Sequence, residues 1–118
     1  MSVNKVILVG RLGADPELKY TSSGKPVCNF SIATNERWID EEGHKSEKVT
    51  WHRITCWNSL AQNCEKYLIK GREVFIEGKI QTRSYDNNDG VTIQVTEILA
   101  LNVVFLGSIE KEDAIDAA

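Results

Sequence analysis

The hydrophobic pattern of this chain has the period of a β-strand except in one segment, which begins close to residue 60. Apolar and polar residues alternate, as is typical of β-strands, in five runs at residues 3–12, 27–37, 48–57, 73–85 and 91–106. Between the third and fourth runs, Leu60, Cys64 and Leu68 recur at helical spacing. Ser59 and Gln62 fit a capping box at the start of that helix. The sequence therefore predicts an all-β fold with one short helix.

The order of the elements narrows the fold further. Three strands, a short helix and two strands are the order of the OB-fold, a five-stranded barrel, here with its helix between strands 3 and 4. Gly10 predicts a bulge or sharp bend at a barrel corner, and a short extended piece occupies residues 18–20. A chain of 118 residues has room for one domain. We place it at residues 1–107, followed by an acidic, disordered C-terminal segment at residues 108–118.

Cysteine usage and hydropathy indicate a protein of a reducing compartment. Cys28, Cys56 and Cys64 form no C-x-x-C pair, and neither His44 nor His52 has metal-ligand spacing to a cysteine. No apolar run approaches the roughly 20 residues that span a bilayer. The N-terminus shows no signal-peptide pattern. We therefore expect a cytoplasmic protein without membrane association, metal, cofactor or catalytic site.

The net charge does not favour nucleic-acid binding by the chain as a whole. The chain has 14 basic and 17 acidic residues, for a formal net charge of −3. Glu110, Glu112, Asp113 and Asp116 against Lys111 place that charge in the last eleven residues, so residues 1–107 are neutral. A typical DNA-binding domain is strongly basic. Any nucleic acid bound here must therefore be held by local arrangement and stacking.

The third run carries two tryptophans on one face. Alternation along residues 51–57 separates two sides of the strand. One side has Trp51, Arg53, Thr55 and Trp57, and the other has His52, Ile54 and Cys56. Bases stack on aromatic rings while arginine holds the phosphate alongside, and duplex DNA hides its base faces. The pattern favours single-stranded nucleic acid bound with little sequence preference; the alternative is that both rings pack beneath another element.

The fourth run offers a second polar face, and Trp38 is undecided. Lys79, Gln81, Arg83 and Tyr85 share one parity in the fourth run, although a solvated outer wall would look the same. Alternation from Phe30 and Ile32 sends Trp38 inward, but it stands where the second strand enters the charged segment 40–45.

Several segments resemble the bacterial single-stranded DNA-binding protein family. They are residues 4–10, Leu12-Gly13, Asp15-Pro16, Trp51-His52-Arg53, Tyr67-Leu68, Lys70-Gly71 and Ile76-Glu77-Gly78. The resemblance covers residues 1–107. It implies a non-enzymatic OB-fold protein that forms a homotetramer and binds single-stranded DNA during replication, recombination and repair, in the bacterial cytoplasm and nucleoid.

The resemblance also implies roles for individual residues. Base-stacking aromatics fall on Trp38, Trp51, Trp57 and Tyr85, the last two where the best-known members have Phe and Trp. Phosphate contacts fall on Lys5, Arg53, Lys70 and Arg83. The resemblance implies subunit contacts at Asn4 and Val6, since the first strand pairs between subunits in the family, and at His52, which matches a histidine associated with subunit contact.

Two regions depart from the family pattern. Members usually continue through a flexible Gly/Pro/Gln-rich linker to an acidic tip ending in Pro-Phe, which recruits partner proteins. This chain stops at Ala117-Ala118, so replication and repair proteins are expected as partners only if a full acidic tail exists. A trimmed form and a phage-encoded variant both fit the sequence. The loop before the fifth strand is also short, which can alter how much DNA each subunit wraps.

Two other functions are compatible with the same barrel. A replication-restart accessory protein would bind DNA as part of a primosome, mainly through protein contacts, and would be expected to have fewer aromatic residues on its strands. An oligosaccharide-binding OB domain would use the same tryptophans. Its binding would lose little in high salt, whereas phosphate contacts must release counterions.

Overall fold

The computed structural model describes residues 1–107. In chain order the elements are β1 (Val6–Leu12), β2 (Glu17–Tyr20), β3 (Pro26–Ile39), β4 (Lys45–Trp57), α1 (Asn58–Tyr67), β5 (Glu73–Asp86) and β6 (Thr92–Leu106). The disordered segment expected at residues 108–118 lies outside the described residues.

Five of these strands close a barrel. They follow the order β1-β5-β6-β4-β3, and β1 completes the circle by pairing with β3 at Arg11↔Ala33 and Leu12↔Ile32. The structure therefore confirms a mostly β fold with a five-stranded barrel and one short helix. The extended piece near residue 18 is itself a strand, β2, which pairs with β3 outside the barrel. The helix consequently follows the fourth strand of the chain, not the third.

Alternation fills the barrel with apolar side chains. Phe30 and Ile32 of β3 lie opposite Ile54 and His52 of β4, and both isoleucines are fully buried. The helix covers the core with Ala61 and Cys64, and these residues and its C-cap, Leu68, are also fully buried. A ten-residue helix is marginal in water by itself. Burial of a side chain such as leucine, worth about 1.5–3 kcal/mol, therefore stabilises it in place.

The start of α1 differs from the prediction. The capping box at Ser59 and Gln62 is wrong, because the N-cap is Trp57 and it makes no side-chain capping hydrogen bond. The chain passes from β4 into the helix without a loop. Asn58 makes this turn possible with a φ of 60°, a left-handed conformation that asparagine adopts more readily than most residues.

The bulge predicted as one possibility at Gly10 is absent from the pairing of β1 with β5. The register of β1 against β5 is continuous from Val6↔Gly78 to Arg11↔Glu73. A Cβ atom at Gly10 would stand 2.4 Å from the carbonyl oxygen of Ala33, so glycine allows β1 to cross close to β3. The register shift of the sheet lies instead in β5, between Glu77 and Gly78.

Two strand pairs continue past the barrel as ribbons. The β3–β4 ribbon comprises residues 35–39 and 45–49, and the β5–β6 ribbon comprises residues 82–86 and 92–96; most of their side chains are exposed. The pairing of β3 with β4 keeps one register from Val27↔Trp57 to Ile39↔Lys45. The two faces of the β3–β4 ribbon are therefore continuations of the inner and outer faces of the barrel wall.

The three cysteines are free thiols buried in the core. Cys28 and Cys56 are cross-strand partners, and Cys56 Sγ donates to the carbonyl oxygen of Cys28 at 3.8 Å. The hydrogen bond with Cys56 and burial raise the pKa of Cys28. For Cys56, the hydrogen bond with Cys28 lowers the pKa, but the hydrogen bond with Cys64 and burial outweigh it and raise the pKa to about 12. All three thiols are inaccessible in the folded chain.

Candidate nucleic-acid interface

An open groove of about 670 Å³, here called the central groove, crosses the outer face of β3 and β4. Its floor follows the strand register, because Ser31 lies opposite Arg53 and Asn29 lies opposite Thr55. Cross-strand partners share a face. The groove is lined by Gly13, Ala14, Asp15, Glu17, Lys19, Asn29, Phe30, Ser31, Trp51, Arg53 and Arg83. It therefore brings together one predicted stacking residue and two predicted phosphate contacts.

Trp51 stands over Gly13 at the edge of the central groove. The indole is 58% exposed, so a base can reach its free face. An ideal Cβ on Gly13 would lie 2.6 Å from Cζ3 of this ring, closer than real Cβ atoms approach other atoms. Gly13 is held in place by donating its backbone N–H to Ser31 O at 3.1 Å. The absence of a side chain at Gly13 thus creates the seat of the indole.

Trp57 lies at the other end of the same face of β4. It is 37% exposed and lines a recess with Thr21, Ser23, Lys25 and Asn58. The loop between β2 and β3 therefore places an ammonium group beside the second aromatic platform. With Arg53 exposed between the two rings, the predicted face of the third sequence run is exposed as an aromatic–basic–aromatic series.

A buried carboxylate contacts Arg83, one of the residues that line the central groove. Glu97 of β6 accepts hydrogen bonds at Oε1 from Gln81 Nε2 and Arg83 Nε, both at 3.0 Å, and at Oε2 from Thr55 Oγ1 at 2.9 Å. The Thr55 hydroxyl also lies 2.9 Å from Asn29 Oδ1. Burial raises the pKa of Glu97, but the three hydrogen bonds and the charge of Arg83 outweigh it and hold the pKa below its usual range.

Trp38 is exposed even though its parity is that of the core. It lies opposite Ser46 in the β3–β4 ribbon and shares the inner face with Phe30 and Ile32. Because the ribbon extends past the barrel, no element within residues 1–107 encloses this face, and Trp38 is 46% exposed. It lines a second recess with Arg37 and Lys45. Trp38 and Trp51 therefore stand on opposite faces of the β3–β4 sheet.

The remaining predicted site residues are spread around the barrel. Tyr85 is exposed on the β5–β6 ribbon, two residues from Arg83. Lys70 is exposed in the loop after α1, where its backbone N–H donates to Asp15 Oδ1 at 2.8 Å. Lys5 Nζ lies 3.1 Å from Glu77 Oε2, outside the lining of the central groove.

The three predicted subunit contacts lie away from the central groove. The side-chain amide of Asn4 extends the β1–β5 ladder, donating to Ile80 O and accepting from Ile80 N at 2.8 and 2.9 Å. Val6 is half-buried at the start of β1 and packs against the core. His52 Nε2 lies 2.8 Å from Thr34 Oγ1, on the side of β4 opposite the tryptophans.

A profile of the single-strand binding protein family matches residues 3–106. The chain belongs to this family. It is 48% identical over 107 residues to proteins named single-stranded DNA-binding protein from serogroup A and serogroup B strains of Neisseria meningitidis. A relative named single-stranded DNA-binding protein 1, from Chlorobaculum tepidum, is also 48% identical over 107 residues.

These alignments cover most of this chain but only part of the relatives. They take in 91% of the chain and 62% of the Neisseria proteins, and 90% and 66% for the Chlorobaculum protein. A solved structure entitled "Plasmodium falciparum SSB complex with ssDNA" superposes with a TM-score of 0.82 at 36% identity, covering 91% of this chain and 97% of that one. The chain therefore shares its barrel fold with this solved structure.

The names of the family and of its matched members describe binding, and none of them states a catalytic activity. Within residues 1–107, no group of three or more His, Cys, Asp or Glu side chains is arranged to hold a metal. The same residues contain no helix of the length and apolar character needed to cross a bilayer.

Three residues of the candidate interface were not predicted from the sequence. Gly13 entered as part of a segment that resembles the family, and Lys25 and Glu97 had no assigned role. Glu97 precedes the buried Ile98, and successive side chains of a strand point to opposite faces. Alternation therefore places Glu97 on the outer face of β6. Nothing local indicates that this outer face is covered by Thr55 of β4 and Arg83 of β5.

Proposed function

We propose that this chain binds single-stranded DNA with little sequence preference, by stacking bases on aromatic side chains and contacting phosphates with Lys and Arg. One observation carries the proposal: two exposed tryptophans, Trp51 and Trp57, share one face of β4 with Arg53 between them. Family membership and the single-stranded DNA bound by the related Plasmodium protein support it.

The proposed path begins in the central groove. Bases stack on Trp51 and, at the far end of β4, on Trp57, while Arg53, Arg83 and Lys25 neutralise phosphates between and beside them. Stacking is worth about 1–3 kcal/mol per base and differs little between bases, because every base has a π-face. Two such platforms provide useful affinity in a barrel without net positive charge.

The two ribbons extend this path beyond the barrel. Trp38 offers a platform on the face opposite Trp51, so a single strand that uses both must pass around the β3–β4 ribbon. Tyr85 on the β5–β6 ribbon offers another platform next to Arg83. Lys70 and Lys5 complete the proposed set of phosphate contacts.

We also propose that the chain forms a homotetramer through β1. Residues 6–10 of this strand pair with β5 on one side, and within residues 1–107 only Arg11 and Leu12 pair on the other. An apolar row, Val9, Phe75 and Val104, crosses the outer face of β1, β5 and β6, and the two valines are exposed. An open strand edge beside exposed apolar side chains is a pattern that association of identical chains removes.

The biological setting of the proposal is DNA replication, recombination and repair in the bacterial cytoplasm and nucleoid. Each of these processes exposes single strands that need protection from reannealing and cleavage. Replication and repair proteins are proposed as partners only for a form of the protein that carries an acidic tail ending in Pro-Phe.

The proposal is tested by titrating tryptophan fluorescence with oligo-dT, with a matched duplex and with oligo-rU, at low and high salt. Quenching by the single DNA strand but not by the duplex, with affinity that falls as salt rises, is the expected result. Absence of quenching by every nucleic acid would overturn it. Quenching by a neutral oligosaccharide, with no salt dependence, would favour the carbohydrate-binding alternative instead.

A further inference from the structure

Glu97 is a carboxylate buried in a surface that is proposed to bind polyanions. Its side chain is 2% exposed. It lies opposite Gln81 in the β5–β6 register, diagonal to Arg83, whose own partner is Val95. A negative charge at this place opposes phosphate binding, and burying it costs free energy. Its position therefore needs an explanation other than direct contact with DNA.

The contact with Arg83 has a specific geometry. Glu97 Oε1 accepts from Arg83 Nε at 3.0 Å, and the arginine side chain remains 54% exposed. Within residues 1–107, Nε is the one guanidinium nitrogen of Arg83 that has a hydrogen-bond acceptor. Arg83 lines the central groove together with Arg53 and Trp51. A guanidinium fixed through Nε keeps both terminal nitrogens for a second acceptor, and two parallel N–H groups match a phosphate.

The other contacts of Glu97 fix the carboxylate itself. Thr55 of β4 donates to Oε2 at 2.9 Å and Gln81 of β5 donates to Oε1 at 3.0 Å, so neighbours on both sides of β6 orient it. The carboxylate is thus held by three donors on two strands, and the most exposed of them is Arg83. Glu97 is therefore fixed by Thr55 and Gln81 of the barrel wall and holds Arg83, an exposed cation in the central groove.

We propose that Glu97 is a positioning residue that holds Arg83 with its terminal nitrogens towards a phosphate in the central groove. The inference rests on the proposed function. An arginine side chain loses conformational entropy when it becomes ordered on the DNA. Because Glu97 orders Arg83 before the DNA binds, part of that entropy loss does not oppose binding. The oriented contact between Arg83 and the phosphate then outweighs the repulsion between the phosphate and Glu97, because this carboxylate is already hydrogen-bonded and neutralised by Arg83.

The experiment measures oligo-dT affinity at several salt concentrations for the wild type, Glu97→Met, Arg83→Ala and the double variant. Methionine keeps the volume but accepts no hydrogen bond from Arg83. We expect Glu97→Met and Arg83→Ala each to weaken binding by about 3- to 10-fold. Each should also make the slope of log K against log salt shallower, by about 0.7 for one lost phosphate contact on a single strand.

The double variant separates positioning from a general structural role. If Glu97 acts through Arg83, Glu97→Met has no further effect once Arg83 is alanine. Glu97→Gln, which keeps an acceptor oxygen without the charge, should restore part of the affinity lost in Glu97→Met. Glu73→Met is the matched control, because it also removes a carboxylate facing an arginine, 3.8 Å from Arg11 Nη2. It should not weaken binding.

Three outcomes would overturn the inference while leaving DNA binding itself intact. They are tighter binding by Glu97→Met, an unchanged Arg83→Ala variant, and an effect of Glu97→Met that persists in the double variant. Failure of the wild type to bind oligo-dT would instead refute the proposed function.

Arg83→Lys provides a second test if urea unfolding shows that Glu97→Met does not fold. Arg83 is half-exposed, so lysine is tolerated there, and it keeps the charge. A lysine ammonium lacks the fork geometry that divides its donors between carboxylate and phosphate. We expect Arg83→Lys to bind about as weakly as Arg83→Ala; wild-type affinity and salt slope would show that charge alone is sufficient.

Discussion

At the residue scale, the seat of Trp51 is the most sensitive point of the central groove. Gly13→Ala would place a methyl group 2.6 Å from the indole, and the ring is the mobile partner because it is exposed on its other side. We expect the ring to swing out, oligo-dT affinity to fall by up to about tenfold through lost stacking, and the emission of Trp51 to shift. Fluorescence titration measures both effects.

The control for Gly13→Ala is the same substitution in a Trp51→Ala chain. With the indole removed, the added methyl group has nothing to displace, so affinity should not change further. The free energy of unfolding should remain within about 1 kcal/mol of its parent in both backgrounds. An equal loss of affinity in both would mean that Gly13 acts on the DNA path independently of Trp51.

Glu97 predicts a specific dependence of stability on pH. Its folded-state pKa is lowered below the ordinary value of 4.5, because the hydrogen bonds from Gln81, Thr55 and Arg83 outweigh burial. The stabilisation is therefore fully present above pH 4.5 and is lost as pH falls through the lowered pKa. Urea unfolding between about pH 6 and pH 3 should show a shallower loss for Glu97→Gln than for the wild type. Parallel curves would contradict this assignment.

Single residues were predictable from the sequence where parity alone decides their position. Alternation in one strand was enough to put Trp51, Arg53 and Trp57 on a common face. The burial of Glu97 was not predictable, because it depends on two long-range pairings of β6, with β4 and with β5. The seat of Trp51 depends in the same way on a loop that folds back over β4.

At the element scale, the β3–β4 ribbon should contribute to binding only when the ligand is long. Trp38 stands past the barrel and on the opposite face from Trp51, so an oligo-dT that fills only the central groove cannot reach it. We expect Trp38→Ala to weaken the binding of a long oligo-dT by about 1–3 kcal/mol and to leave the binding of a short one unchanged. Trp51→Ala should weaken both. Calorimetric titration with the two lengths measures the difference.

Ile39→Ala is the matched control on the same ribbon. Ile39 is exposed and adjacent to Trp38 but has no ring on which a base can stack. Both substitutions should leave the free energy of unfolding unchanged within about 0.5 kcal/mol, because neither side chain is buried. Weaker binding of the short ligand by Trp38→Ala would place Trp38 on the same stretch of the path as Trp51.

The elements themselves were predictable because their hydrophobic periods are regular. All five predicted strands begin and end within three residues of the observed bounds of β1, β3, β4, β5 and β6. The capping box failed because a strand runs directly into the helix, so the N-cap position belongs to Trp57. The exposure of Trp38 was undecided because alternation gives a face but not the point at which the barrel stops covering it.

At the scale of the whole molecule, the open edge of β1 predicts association. Val9→Glu places a charge in the apolar row, where a second chain would have to bury it without a partner. We expect the variant to sediment as a smaller species than the wild type at the same concentration, by analytical ultracentrifugation. Val91→Glu, at an equally exposed valine in the loop before β6, should leave the assembly unchanged. A wild-type monomer would refute the proposed tetramer.

Because Cys28, Cys56 and Cys64 are buried, the folded chain should not react with thiol reagents. A maleimide needs an accessible thiolate, and all three native thiols are enclosed by the barrel and its helix. A cysteine introduced at exposed Asn88, in the loop that joins β5 to β6, would be the one that reacts. A single dye can thus be attached at a chosen site without first replacing the three native cysteines.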